Sequence, residues 1–290
     1  MNNDYTYMDS WNDEEVTSFK EKNLDQQYSH TKRKSSTISF FSGNTTIVSE
    51  GDSWFDYLPG TDIIDCLRNH HGYDIKNYAK AGDTLENMIY GIGYDNNFQR
   101  TTPSIRKVLK KVEKLKPNIF LFSGGGNDIA GDEFASYLNH YNSSLPILRE
   151  EYIENMIHTV FKKYFEDLIK KISLVSPNTH ILTHGYGHTI PTGKGVKFLF
   201  FNFSGPWLRP ALAMKGIFDP IEQRLAVEKM INEYNKMLSK LSDKHSQFHH
   251  LDLRTLLDPN NDWTNELHLK NSAYAKVSNL FHEKIIQIKF

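Results

Sequence analysis

A single cysteine, Cys66, stands in 290 residues, so no disulfide can form within the chain and the fold must be held by its core. Long apolar runs are equally scarce. No stretch reaches the roughly 18 apolar residues that a membrane-spanning helix needs, and the first residues lack the basic start and apolar centre of a secretory leader. Charge of one sign is missing too: 34 Lys and Arg against 35 Asp and Glu leave a formal net charge of -1, which gives no general attraction to nucleic acid or acidic membranes. A cytoplasmic protein is the default expectation, with signal-independent export also compatible. The setting of Cys66, in Ile63-Ile64-Asp65-Cys66-Leu67, reads as a helix-core thiol and not as a nucleophile.

What is present fits one enzyme-sized domain behind a different kind of segment. Residues 1–42 are polar, acidic at first and then mixed in sign, and read as a flexible or surface-docked extension. From residue 43 onward the chain reads as a single domain, in which strand and helix patterns alternate. That order argues for a three-layer α/β/α sandwich around a parallel sheet. Ile105, Val108, Leu109, Val112 and Leu115 recur at helical spacing, as do Met156, Ile157, Val160, Phe161, Tyr164, Phe165, Leu168 and Ile169. Both stripes read as core packing; a third helix, over residues 223–241, presents apolar residues on one face, and a last, over 271–287, would pack against the sheet and neighbouring helices.

The chemistry gathers where strands end. The β-branched run Thr46-Ile47-Val48 empties into Gly51-Asp52-Ser53, a turn that leaves a hydroxyl at a strand's carboxyl end, where open α/β sheets bind ligands. Ser53 is therefore the candidate nucleophile. A second strand leads to Gly82, whose backbone N–H could face a negative oxygen. The apolar strand over residues 117–123 runs into Gly124-Gly125-Gly126-Asn127-Asp128, bringing a side-chain amide to the same rim. Near the C-terminus a strand starting at Phe248 is followed by Asp262-Trp263-Thr264-Asn265-Glu266-Leu267-His268, with His268 the candidate base.

In type and order these residues resemble the four blocks of the SGNH hydrolases, also called the GDSL esterase/lipase family. Gly51-Asp52-Ser53 matches the first block, Gly82 the second, Gly125-Gly126-Asn127-Asp128 the third and His268 the last. The resemblance runs from about residue 45 to about residue 285. It implies the SGNH hydrolase fold, a flavodoxin-like parallel sheet between two helical layers, and a serine esterase that forms an acyl-enzyme without a cofactor or metal. It also implies an oxyanion hole made from the N–H groups of Ser53 and Gly82 and the amide of Asn127. The chain has no Gly-x-Ser-x-Gly, so the nucleophile elbow of the α/β-hydrolases is the poorer comparison.

One position departs from the family pattern. Members usually carry Asp three residues before the histidine, and here Asn265 occupies that place. Asn265 can orient the imidazole through its amide oxygen but brings no negative charge. Asp262 and Glu266 are the nearest carboxylates that could substitute, or they are surface charges of the loop. A dyad of Ser53 and His268 positioned by Asn265 and a triad completed by Asp262 both remain open.

Substrate choice points to the apolar, loop-rich insertion at about residues 189–219, which holds Phe198, Phe200, Phe201, Phe203, Trp207 and Leu208. Beside the expected rim these residues suggest a wall or lid for an acyl chain, or else cover for a sheet edge. Trp54, His184 and Trp207 are the expected pocket residues. His184 and His188 flank Gly185-Tyr186-Gly187, but without a carboxylate constellation they read as pocket lining before a metal site. The functional expectation is hydrolysis of a lipid or other acyl ester. Deacetylation of a carbohydrate, or a non-catalytic binding protein on the same scaffold, are the alternatives.

Overall fold

Short runs of branched and aromatic residues build the middle of the sheet, where the strands are covered on both faces. In the computed structural model, which describes residues 46–57, 60–99, 103–198 and 201–289, five parallel strands carry the domain. They are β1 (Ile47–Glu50), β2 (Ile75–Asn77), β3 (Ile119–Phe122), β4 (His180–His184) and β7 (Phe248–Leu251). Their order is β2-β1-β3-β4-β7, so the chain reverses direction across the sheet beside β1, the switch point where an α/β sheet opens a crevice. The polar segment 1–42 lies outside the described residues. The account below concerns the compact unit of Asn44–Tyr57 and Thr61–Phe290.

Alternation along the strands sorts the core into two layers. Ile47, Ile119, Leu121 and Leu182 pack with α1 (Ile63–His71) and α8 (Asn271–Lys289). Val48, Phe120, Phe122 and Ile181 face the other way. There they meet α2 (Leu85–Tyr90), α3 (Ile105–Leu115), α5 (Lys162–Val175) and α7 (Pro220–Lys244). The sandwich is thus three layers deep, as the alternating pattern predicts. Cys66 is buried in α1 and burial pushes its thiol up to about 12, which makes it an inert core group.

The long apolar stripe ahead of β4 is not one α-helix. α4 (Glu150–Asn155) passes into a π-helical stretch, Met156–Phe161, before α5 begins. The buried residues Ile153, Ile157, Phe161 and Phe165 are spaced by four. In a helix of 3.6 residues per turn such a stripe drifts around the axis, and the wider π-turn cancels the drift. The insertion before α7 is also more ordered than a loop. It holds an antiparallel hairpin, β5 (Val196–Phe198) with β6 (Phe201–Ser204), and the short helix α6 (Arg209–Met214).

Phe165 is fully buried, with its ring against Phe122, Tyr234 and Phe248. It therefore joins α5 to β3, α7 and β7 at once. Phe165→Ala is expected to lower unfolding stability by about 3–5 kcal/mol, read from the shift of the urea midpoint at unchanged slope.

Candidate active site

The turn after β1 is set by close approach and by one carboxylate. A side chain at Gly51 would put its Cβ 2.8 Å from Ser123 Cβ, so only glycine lets this strand end lie against the neighbouring one. Asp52 Oδ1 accepts the Trp54 N–H at 3.0 Å, and Asp52 O accepts the Phe55 N–H at 3.0 Å. Ser53 is left at the rim. Its hydroxyl lies 2.9 Å from His268 Nε2, although the two residues are 215 positions apart.

The histidine is held without a carboxylate. Asn265 Oδ1 accepts the N–H groups of Leu267 at 3.0 Å and His268 at 2.8 Å, and lies 3.1 Å from His268 Nδ1. Two donors from the backbone fix which end of the amide faces the ring, because only an oxygen accepts them. Nδ1 must then carry the ring hydrogen, and Nε2 presents its lone pair to Ser53. Tyr57 stacks on the imidazole with centroids 4.2 Å apart, and Trp207 meets it edge-on at 5.5 Å. Burial drives the His268 pKa down to about 3.

Both nearby carboxylates are buried and engaged elsewhere, contrary to their reading as loop surface charges. Asp262 accepts from Lys276 Nζ at 2.8 and 2.9 Å and from the Asp258 N–H at 2.9 Å, which ties the loop to α8 and not to the imidazole. Glu266 accepts four backbone N–H groups of the insertion, those of Gly193, Trp207, Leu208 and Arg209.

Gly82 takes a φ of 81°, a left-handed value that any side chain would strain. Among the described residues no acceptor takes the backbone N–H of Ser53 or of Gly82. Asn127 donates one amide hydrogen to Asp83 O at 2.9 Å, and an amide has a second to offer. Asp128 accepts the N–H groups of Leu85 and Glu86 at the start of α2, tying the Asn127 loop to the Gly82 turn.

Ser53 and Asn127 open onto a cleft with about 680 Å³ of empty space, its mouth included. Its lining includes Ile129, Ala130, Phe134, Leu208, Val227, Met230 and Ile231. Of the three expected pocket residues, Trp54 lines this cleft. Two lie elsewhere: His184 is buried behind Trp54, stacked on its ring at 4.7 Å, and Trp207 packs against His268. The apolar face of α7 read from the sequence forms part of the cleft lining through Val227, Met230 and Ile231. His188 Nε2 meets Asn232 Oδ1 at 2.9 Å, away from His184.

Residues 39–281 match the profile of the family described as GDSL-like Lipase/Acylhydrolase. The chain belongs to that family. No curated protein matches the sequence. Among solved structures, the lipopolysaccharide acetyltransferase periplasmic domain of Salmonella ser. Paratyphi A is similar at 13% identity, with 96% of this chain and 98% of that one covered and a TM-score of 0.51. The lipase Lip_vut3 from a goat rumen metagenome is similar at 11% identity, with coverages of 82% and 96% and a TM-score of 0.51. Phospholipase A1 from Streptomyces albidoflavus aligns at 11% identity over 83% and 99% of the two chains, with a TM-score of 0.49. Membership makes this GDSL family chain an ester hydrolase; the likenesses to the acetyltransferase domain and to Lip_vut3 show the fold alone. Among the described residues no helix is long and apolar enough to cross a membrane.

Since Asp262 grips Lys276, Asp262→Asn is expected to lower the melting temperature by a few degrees, as about 1 kcal/mol does in a domain of this size. Turnover should stay within about threefold of wild type, because no proton-transfer partner is lost. Ester assays at a temperature well below the transition check both halves.

Proposed function

We propose that this protein hydrolyses carboxylic esters with an apolar acyl group through an acyl-enzyme on Ser53. The observation that carries the reading is the 2.9 Å contact between Ser53 Oγ and a His268 nitrogen free to accept, at the mouth of an apolar cleft. As Ser53 attacks the ester carbonyl, its proton passes to His268 Nε2. The N–H groups of Ser53 and Gly82 and the free hydrogen of Asn127 are the donors for the oxyanion that forms. His268 then gives the proton to the departing alcohol; a water, deprotonated by His268 in turn, attacks the acyl carbon, and as the bond to Ser53 breaks His268 returns the proton to Oγ and the acid leaves.

The missing aspartate does not argue for a binding protein. An Asn in place of the triad Asp costs about 10⁴ where it forces the wrong ring tautomer. Here two backbone N–H groups turn the amide oxygen toward Nδ1, so the productive tautomer is kept. The walls of the cleft favour a fatty acyl chain over the acetyl group of a carbohydrate ester, because its lining is mostly apolar and aromatic side chains and an acetyl group would leave most of that surface unfilled.

Ser53→Ala should abolish hydrolysis of p-nitrophenyl esters and labelling by a fluorophosphonate while leaving the melting temperature near wild type. Activity in wild type should rise from acetyl to longer acyl esters. A variant that still labels places the nucleophile at another residue, and a preference for acetyl esters overturns the acyl assignment.

The pH profile is a separate expectation. With its pKa lowered by burial, His268 stays an unprotonated base as pH falls well below 6.5, so the acid limb of kcat/KM should lie below about pH 5. Asn265→Asp sets a negative charge beside the ring, which favours the imidazolium and should move that limb to higher pH. Rates between about pH 4 and 8 for both proteins test the sign.

A further inference from the structure

Three neighbouring strand ends deliver Asp52, Ser123 and His184 to one buried line beneath the nucleophile turn. β1, β3 and β4 lie side by side, and none of the three residues is more than 1% exposed. Ser123 Oγ is 2.6 Å from Asp52 Oδ1, His184 Nε2 is 3.0 Å from Ser123 Oγ, and His184 Nδ1 is 2.7 Å from Gly185 O. None of these side chains has a part in the ester chemistry above.

Counting hydrogens along this line exposes a shortfall. Gly185 O can only accept, so Nδ1 carries a hydrogen. In a neutral imidazole Nε2 is then bare, and Ser123 must donate its one hydrogen to it. Nothing is left between Ser123 Oγ and Asp52 Oδ1, two oxygens at a separation found only when a hydrogen bridges them. The Trp54 N–H and the Tyr186 hydroxyl also reach Asp52, on Oδ1 and Oδ2, but neither fills that gap. A carboxylate and a neutral imidazole therefore hold one proton too few.

We propose that Asp52, Ser123 and His184 share one additional proton in a net-neutral relay, and that His184 is through it a positioning residue for Ser53. Neutrality suits the place, since an uncompensated charge in so dry a site is costly. Burial lowers the His184 pKa, against the Gly185 hydrogen bond and the charge of Asp52, which disfavours a fully charged ring within the relay. The relay reaches both sides of the rim. Asp52 sets the turn that carries Ser53, while Tyr186 donates to Asp52 Oδ2 at 3.1 Å and accepts the Gly126 N–H at 3.0 Å, one residue before Asn127. Trp54, next to Ser53, lies flat against the His184 ring.

The proton count stands apart from the proposed function, and the effect on turnover rests on it. Nitrogen-15 NMR of histidine-labelled protein near pH 7, with His184 assigned by its loss in His184→Phe, should show hydrogen on Nδ1 and an accepting Nε2. Hydrogen on Nε2 with a bare Nδ1 removes the shortfall and overturns the relay. Ser123→Ala and His184→Phe, the latter keeping an aromatic ring against Trp54, should each lower kcat by about 10- to 100-fold with KM within about twofold. The double variant should be no slower than the slower single one, since both cut one chain. Additive losses, or a raised KM at unchanged kcat, overturn the positioning role. Fluorophosphonate labelling of Ser53 is followed in parallel: a wild type that labels but hydrolyses no ester overturns the ester reading, while the variants' labelling rates still decide the relay.

Discussion

One amide oxygen, Asn265 Oδ1, sets the geometry on which the rim depends. It gathers two backbone N–H groups and the imidazole of His268 within hydrogen-bond distance. The backbone donors belong to the two residues that follow in the same tight loop, so the chain itself chooses the amide's orientation. A carboxylate would reach the same tautomer with either oxygen. Asn reaches it only because the loop makes the choice, and the ring then sits with no negative charge beside it, in surroundings that resist its protonation.

That loop is fastened to the apolar insertion by Glu266. Its carboxylate lies 0% exposed and collects the N–H groups at the start of α6 together with that of Gly193. Charge-assisted bonds to so many donors are the condition for burying a carboxylate at all. They bring Trp207 to the edge of His268, while Trp54 Nε1 donates to Leu267 O from the nucleophile side. The insertion is therefore a fixed wall joined to the histidine loop, so a change in the wall is felt at the base.

The sequence made the parallel sheet and the rim legible for physical reasons. Branched runs ending in Gly51-Asp52-Ser53 and Gly125-Gly126-Asn127 mark strand ends, and apolar spacing marks α3, α7 and α8 to within a few residues. Motif order then pointed to Ser53 and His268, whose contact spans most of the chain. Side chains whose partners are remote in sequence were not legible. From sequence, Asp262 and Glu266 remain open between a triad acid and a loop surface charge because Lys276 and the N–H groups of 193–209 cannot be foreseen from local pattern. Val227 and Met230 have the spacing of core residues because they are core residues, and only tertiary packing shows the cleft beside them. His184 offered one signal, a histidine at the end of an apolar strand, but its direction inward depended on Ser123 of the next strand.

Near the rim Glu50 is fully buried and Asp128 half-buried, and among the described residues no salt bridge joins either to a cation. Burial, and then the neighbouring Asp83, raise Glu50 to about 8, while burial raises Asp128 to about 7 despite two backbone donors. At neutral pH both are thus largely or partly protonated. A full set of charges there would oppose any negative oxygen forming between Ser53, Gly82 and Asn127. On the mechanism proposed above, raised pKa values at Glu50 and Asp128 lower the negative charge near the donors assigned to the oxyanion.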